Sequence, residues 1–479
     1  MAPLILAVTG TGRGVLAGRA FLLGVTTGLV YFAGTLYWLV DTMRLHGGLP
    51  WLASVPITGL LVAYLAIYPG LFAVLLAGAV RRIGPGGIWL APALWVATEW
   101  LRTSLGPGFP WVQLGASQAT VLPVVQIASL AGVPGLSALL ALIATAAVAL
   151  TIGRTRAMRA GAVASLVLMV SLTVWGAIRV AGGDLLEAGA PVRVGLVQGA
   201  IPQDQKWDPR YSQDIVTRYL TLSREAIAAG ADLVIWPEAS TPFPLDTSGP
   251  MAAPIRALAA GTSTPFIIGS DQIEPGGVGD PGRYYNAAVL IGPDGHSRQW
   301  YRKMRLAPFG EYVPLKSLLF FVGPLVDKVS DFTPGTEAVV FDAEGRRVSV
   351  AICYESVYAS LAQQFVENGS ALLATITNDA WFGRTSAPYQ HFEQGAIRAV
   401  EQGRFVVRAA NTGISGAVDP YGRVLATSPL FEPAVLTVDV RLLTARTIYS
   451  RIGDVSVWAS LVVTLWLAAG MVTARRAGR

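Results

Sequence analysis

The sequence predicts an α/β domain inserted between the helices of a membrane-embedded helical domain. Three observations predict it. Hydrophobic residues make up 53% of the 479 positions and charged residues 14%, with a mean hydropathy of +0.50. That balance suits several membrane spans better than a soluble chain. Residues 190–440 differ: charge returns, and short apolar strands alternate with helical patterns, which implies an α/β layer structure. The only cysteine, Cys353, stands where the β-branched apolar run Val348–Ile352 stops. Strand C-termini are a common home for chemistry in such folds.

The division expected is a helical domain over 1–185, a catalytic domain over 190–440, and a final helix with a basic tail over 450–479. Residues 1–14 are short and mixed. Pro3 to Val8 is too brief to cross a bilayer and lacks the charged start of a signal peptide. Gly10-Thr-Gly-Arg-Gly14 looks like a phosphate loop, but no strand precedes it, so it reads as a turn. Five apolar spans follow, at about 19–41, 53–80, 88–102, 123–152 and 158–180, with a sixth at about 455–474. Most approach the ~20 residues a crossing needs. The fourth is long enough to kink at Pro134.

Arginine placement orients these spans. Arg13, Arg19, Arg81, Arg82, Arg154, Arg156, Arg159, Arg475, Arg476 and Arg479 fall on one side if six spans alternate. Arg44, Arg102, Arg179 and Arg451 flank the other. The positive-inside rule then puts both termini in the cytoplasm and 190–440 outside it. The same distribution explains the net charge of +6 without nucleic acid. Tyr37, Trp38, Trp51, Trp89 and Trp111 suit an interfacial belt, and Glu99 and Arg102 can pair at i, i+3 on one helix face.

Within 190–440, strands are expected at Val192 to Val197, Asp232 to Trp236, Pro265 to Ser270, Ala287 to Ile291, Val348 to Ile352, Ala371 to Ile376, Phe405 to Ala409 and Ala434 to Val440. Helical patterns lie at 211–229 and 357–367. Glu238, Lys303 and Cys353 each sit where a strand ends. Lysine is rare here: Lys206, Lys303, Lys316 and Lys328 are the four in the chain. A lysine where arginine is the habit suggests a need for a compact ammonium. Each residue also has a plain reading: a buried small hydrophobe, a solvated charge, a structural Trp-Pro-Glu turn.

The three together define a specific chemistry. A thiol attacks a carbonyl as the thiolate, which a carboxylate base and an ammonium can generate and stabilise. The ammonium and the backbone N–H of Tyr354 could hold the tetrahedral oxyanion. The competing design is Cys–His, for which His391 is the placeable histidine of His46, His296 and His391. One cysteine and three scattered histidines offer no metal site, and no cofactor is expected.

The order Glu, Lys, Cys, in Trp236-Pro-Glu-Ala239, Tyr301-Arg-Lys303 and Ile352-Cys-Tyr-Glu355, resembles the nitrilase superfamily, whose fold is an α-β-β-α sandwich. With spans on both sides, the pattern resembles the apolipoprotein N-acyltransferase family. Further segments carry that likeness: Gln198–Gln203 with Lys206–Pro209, Pro308–Pro314, Thr377–Gly383, Asn411–Ser415 and Gly108–Trp111. The resemblance implies a general base at Glu238, an acyl-accepting nucleophile at Cys353 and an oxyanion-stabilising cation at Lys303. It implies support from Glu311, Tyr354 and Glu355, and substrate-linked aromatics at Trp207 and Trp111. It also implies a multi-pass protein of the bacterial inner membrane with its catalytic domain on the periplasmic side. The donor would be a phospholipid and the acceptor the diacylglyceryl-cysteine of an apolipoprotein. The family usually carries seven spans before the catalytic domain; five are expected here, so two are expected to be missing. Two other readings stand beside this one: a membrane-tethered amidase acting on a small amide, and a transporter or lipid-binding protein with an inert ectodomain.

Overall fold

In a computed structural model the chain forms two compact units, described over residues 1–10, 12–106, 108–153, 155–246, 249–276, 282–308, 310–312 and 332–477. Thr11, Arg154, Phe309, Val313, Pro314, Lys316, Lys328 and Arg479, all singled out above, lie outside the described residues. One unit comprises Met1–Val40, Pro50–Gly182 and Arg451–Arg479; the other comprises Asp41–Leu49 and Gly183–Ser450.

The first unit is helical. Among the described residues, four helices are long and apolar enough to cross a membrane. They begin at Ala17, Trp51, Ala128 and Arg156. The last of them leaves Val163, Val167, Val170, Val174 and Ile178 exposed at helical spacing. Such a stripe is costly in water and suits lipid. Three expectations change here. The span expected at 19–41 is two helices, Ala17–Leu36 and Trp38–Leu45, with the Trp38 indole donating to the Thr35 carbonyl (3.1 Å) at the break. The span expected at 88–102 is a 3-10 turn, Pro85–Leu90, leading into a helix of 14 residues, Ala91–Ser104. At ~1.5 Å per residue it falls short of the ~30 Å hydrocarbon core. The fourth helix breaks at Gly132 (φ 66°), two residues before Pro134. Glycine takes the left-handed conformation, and proline then starts the next helical stretch, where its missing N–H costs least. The sixth segment is a helix over Val455–Ala477, apolar over Val455–Met471.

Glu99 and Arg102 do pair, at 4.0 Å, with both side chains buried. Their main work is on the loop that follows. Arg102 Nη1 donates to the carbonyls of Phe109 (3.0 Å) and Trp111 (2.7 Å). Glu99 accepts from the Leu114 N–H (2.8 Å) and the Ser137 hydroxyl (2.6 Å). Trp38 and Trp111 are buried against each other, ring centroids 5.7 Å apart, rather than forming an interfacial belt. Tyr37 and Trp51 remain exposed.

The second unit is a sandwich of two six-stranded mixed sheets, ordered β12-β1-β2-β3-β4-β5 and β11-β10-β9-β8-β7-β6. The first contains β1 (Ala190–Gln198), β2 (Leu233–Ile235), β3 (Phe266–Glu274), β4 (Arg283–Ile291), β5 (Ser297–Arg302) and β12 (Ala434–Leu442). The second contains β6 (Val340–Ala343), β7 (Arg346–Ile352), β8 (Leu372–Thr377), β9 (Val406–Ala410), β10 (Gly416–Val418) and β11 (Val424–Thr427). Period-two alternation divides each strand between layers. Leu233 and Ile235 join Val348, Val350 and Ile352 in the core between the sheets. Val234, between them in sequence, turns outward to helices Ser212–Ala228 and Gly249–Thr262. On the second sheet, Phe365 of helix Ala359–Glu367 and Ala399 of helix Ala387–Gln402 close the opposite face. The layers are therefore α-β-β-α.

Candidate functional site

The site forms where β2, β5 and β7 end. Each strand delivers one of the three predicted residues, for a local reason. After β2 the chain turns through Trp236, Pro237 and Glu238, and Ala239 adopts φ 44°. Trp236 anchors the turn: it is fully buried, stacks on Tyr219 at 4.8 Å and donates to Ser223 Oγ at 2.8 Å. Neighbouring β3 passes so close that a Cβ on Gly269 would lie 2.2 Å from the Pro237 carbonyl oxygen. After β5, the Lys303 N–H still bonds the Asn286 carbonyl (2.8 Å), so the lysine emerges in register with β4. After β7, Cys353 turns sharply with φ 52°, unusual for a non-glycine residue.

Glu238, Lys303 and Glu311 meet in a buried cluster. Lys303 Nζ donates to Glu238 Oε1 at 3.2 Å and to Glu311 Oε1 at 2.9 Å. The amide of Asn286 spans the same two oxygens, at 2.7 and 2.6 Å. The second oxygen of Glu238 accepts from the Asn378 N–H (2.9 Å), and that of Glu311 from the Ala307 N–H (2.7 Å). Every carboxylate oxygen in the cluster is therefore bonded, which is what makes its burial tolerable.

Charge is distributed accordingly. Burial alone would push the Lys303 ammonium down, but Glu238 and Glu311 outweigh it and raise its pKa well above the ordinary value. Burial likewise opposes the Glu238 carboxylate, yet Lys303 and then the Asn286 amide hold it below its usual range. Burial, then the Glu238 charge, pushes the Cys353 thiol far up, against the pull of Lys303. The resting site at neutral pH is thus carboxylate, ammonium and protonated thiol. Cys353 itself stays partly exposed, while Glu238 and Lys303 are buried.

Glu355 joins the segments that carry Lys303 and Cys353. Its Oε1 accepts from the N–H groups of Met304 (2.6 Å) and Arg305 (3.0 Å), and its Oε2 from that of Ile352 (2.8 Å). The Tyr301 hydroxyl lies 2.8 and 2.9 Å from the two oxygens. Burial raises this carboxyl to about 7 despite those bonds. Tyr354 is buried edge-on to Tyr358. Trp207 is 48% exposed, beside buried Lys206. Trp111 belongs to the helical unit, in the loop held by Glu99 and Arg102. His391 bonds the Cys353 carbonyl oxygen (3.0 Å), so it serves the backbone of the cysteine.

Several residues in the site were given no role in the sequence reading. Asn286 lies within β4, where a strand pattern gives it no distinction. Asp271, on β3, is paired in register with Asn286; burial raises its carboxyl to about 6. Lys206 Nζ donates to the Glu238 carbonyl (3.1 Å), and burial lowers its pKa to about 8. Asn378 and Asn411 link the turn after β8 to Gln203 and Ile201. The available signal was that Lys206, Asn378 and Asn411 fall inside motifs quoted for the family resemblance.

The two-sheet sandwich is the fold of the carbon-nitrogen hydrolase class, and the sequence pattern of that class matches residues 193–449. The pattern of the apolipoprotein N-acyltransferase N-terminal domain matches residues 1–146. An apolipoprotein N-acyltransferase of Geobacter metallireducens is 42% identical over 459 residues, covering 94% of this chain and 87% of the relative. One from Methylococcus capsulatus is 34% identical, covering 91% and 84%. The chain belongs to the apolipoprotein N-acyltransferase family. Among solved structures, an amidase from Nesterenkonia sp. is 19% identical with a TM-score of 0.41, covering 58% of this chain and 99% of that one.

Proposed function

We propose that the protein transfers an acyl chain from a membrane phospholipid, through a thioester on Cys353, to the α-amine of a diacylglyceryl-cysteine on an apolipoprotein. The observation that carries this reading is the buried Glu238–Lys303–Glu311 cluster, whose charges act on the thiol of the chain's only cysteine. In the first step the thiol sulfur attacks the ester carbonyl while its proton passes to Glu238. The oxyanion is met by the Lys303 ammonium and the Tyr354 N–H. The C–O bond breaks, the proton passes to the departing oxygen, and a lysophospholipid leaves. In the second step the acceptor amine attacks the thioester, an amide forms, its proton goes to Glu238, and the thiol is restored.

Glu311 and Asn286 keep the ammonium aimed, and Glu355 keeps the two loops together. Trp207 and Trp111 contact the lipid substrates. The division of labour follows 1–185, 190–440 and 450–479, with the sandwich on the periplasmic side of the inner membrane. Two lipid-anchored substrates explain why a catalytic domain would be tethered between spans; a small-amide amidase needs no such tether.

The test is incubation of the purified full chain with phospholipid vesicles and a diacylated lipopeptide, with the mass of peptide and enzyme followed. The peptide should gain one acyl chain, and the enzyme should carry one transiently. Cys353→Ala should do neither. An alanine variant that still takes up the acyl group removes Cys353 as nucleophile, and turnover of small amides without any lipopeptide product favours the amidase reading.

A further inference from the structure

A second buried polar cluster lies behind the nucleophile. Asp379 follows β8, His391 lies on helix Ala387–Gln402, and Arg408 lies on β9; all three are at most 3% exposed. His391 Nδ1 is 3.0 Å from Asp379 Oδ1 and 2.9 Å from Arg408 Nη2, and Arg408 Nη2 donates to Asp379 Oδ2 at 2.7 Å. Across the ring, Nε2 is 3.0 Å from both the Cys353 carbonyl oxygen and Ser356 Oγ. Burial and then the Arg408 guanidinium hold the imidazole below its ordinary pKa of 6.5, so it carries one proton at pH 7.

The contacts decide where that proton sits. On Nε2 it meets the Cys353 carbonyl, which can only accept, and leaves Nδ1 to accept from Arg408, which can only donate. On Nδ1 it would serve Asp379 but would oppose an N–H to the guanidinium and a lone pair to the carbonyl. Asp379 Oδ1 has another donor in Thr377 Oγ1 (2.9 Å). Ser356 Oγ, which also lies 3.0 Å from the Cys353 carbonyl oxygen, donates to that oxygen beside an Nε2–H but must turn to Nε2 if the ring proton is on Nδ1. The Nε2–H form therefore satisfies more of the network.

The carbonyl so held belongs to a strained residue. Cys353 at φ 52° must be fixed by its surroundings. Its peptide with Tyr354 is planar and trans, so the carbonyl and the Tyr354 N–H point in opposite directions. Fixing one fixes the other. We propose that His391, seated on Asp379 and Arg408, is a positioning residue that clamps the Cys353 carbonyl and thereby aims the Tyr354 N–H at the oxyanion of thioester formation. This rests on the reading of Cys353 as the acyl-accepting nucleophile.

The test compares His391→Gln with His391→Asn in the full chain. A glutamine amide reaches the place of Nε2; an asparagine amide stops near Nδ1. Cys353 acylation by p-nitrophenyl acetate is read as the p-nitrophenolate burst, which requires no lipid. The asparagine variant should acylate about 100-fold more slowly, the size of a lost oxyanion donor, at unchanged half-saturation. Glutamine should recover at least about tenfold of that loss. Equal rates in the two variants, or a wild-type rate in asparagine, overturn the clamp. If His391→Asn is not recovered folded, Asp379→Asn replaces it: a slowed burst supports the clamp and an unchanged one overturns it. A wild-type chain that takes the ester but no acyl chain from vesicles of dioleoyl phosphatidylethanolamine and phosphatidylglycerol refutes the donor reading alone, and the ester burst still decides the role of His391.

Discussion

Replacing Glu355 by glutamine should both weaken the fold and remove one component of its pH dependence. The carboxyl is buried, with a pKa raised from 4.5 to about 7. Folding therefore strengthens its hold on the proton. Between pH 4.5 and about 7 the folded chain binds more protons than the unfolded one, so stability falls as pH rises through this window. The penalty is absent below the window and complete above it. At ~1.4 kcal/mol per pH unit it amounts to about 3 kcal/mol. Glutamine cannot titrate. It also turns an amide N–H toward a donor, either the Ile352 N–H or the pair from Met304 and Arg305. One buried N–H left without an acceptor costs about 1–3 kcal/mol. Glu355→Gln should therefore be less stable than wild type near pH 5, and the gap should narrow or close by pH 8. The assay is denaturant unfolding of the full chain in detergent at pH 5, 6, 7 and 8. An unchanged pH slope in the variant would show that Glu355 is not the titrating group and would sink the argument.

Three further outcomes follow from the same geometry. Lys303→Met leaves two carboxylates buried around an apolar side chain; it should cost about 3–5 kcal/mol in unfolding experiments and at least about 100-fold in acyl-enzyme formation. Asn286→Leu removes the amide that spans Glu238 and Glu311; acylation should slow by about tenfold or more, while an unchanged rate would show that Lys303 alone holds the carboxylates. Gly269→Ala forces a Cβ toward the Pro237 carbonyl and should displace the Glu238 turn, at a cost of about 1–3 kcal/mol in stability; a neutral effect would mean that β3 can withdraw.

Much of the catalytic unit was legible because its strands are buried on both faces. Runs such as Val348–Ile352 and Leu372–Thr377 are apolar apart from small hydroxyl residues, and each appears near its expected place. The elements that escaped notice are of a different kind. Strand β5, of which only the end at Lys303 was expected, reads Ser-Arg-Gln-Trp-Tyr-Arg, polar enough for a loop, because it lies at a sheet edge. Strand β11 is largely exposed for the same reason. Helix Ala387–Gln402 is amphipathic but carries buried Arg398, Glu401 and Gln402, which mask its apolar face. In the helical unit, hydropathy found the apolar stretches but not their lengths, since Ala91–Ser104 owes its burial to neighbouring helices.

The cluster around Lys303 was legible in part. Rarity drew attention to the lysine, and strand ends to its partners. Asn286 went unnoticed, and Lys206 was noted for its rarity but given no role, because their roles depend on pairing between distant segments. A carboxamide in β4 gains meaning only when β2 and the Glu311 turn arrive beside it.

Strands β1 and β12 are paired residue for residue from Ala190 with Leu442 to Gln198 with Ala434. The first and last strands of the sandwich are thus zipped together, although nearly half of the chain separates them in sequence. A domain whose two ends meet in this way can be lifted out or inserted at a single point of another chain without stretching its own backbone. Joining Ala190 to Leu442 by a short linker and opening the ring at an exposed loop would rearrange the order of the chain and leave the layers as they are.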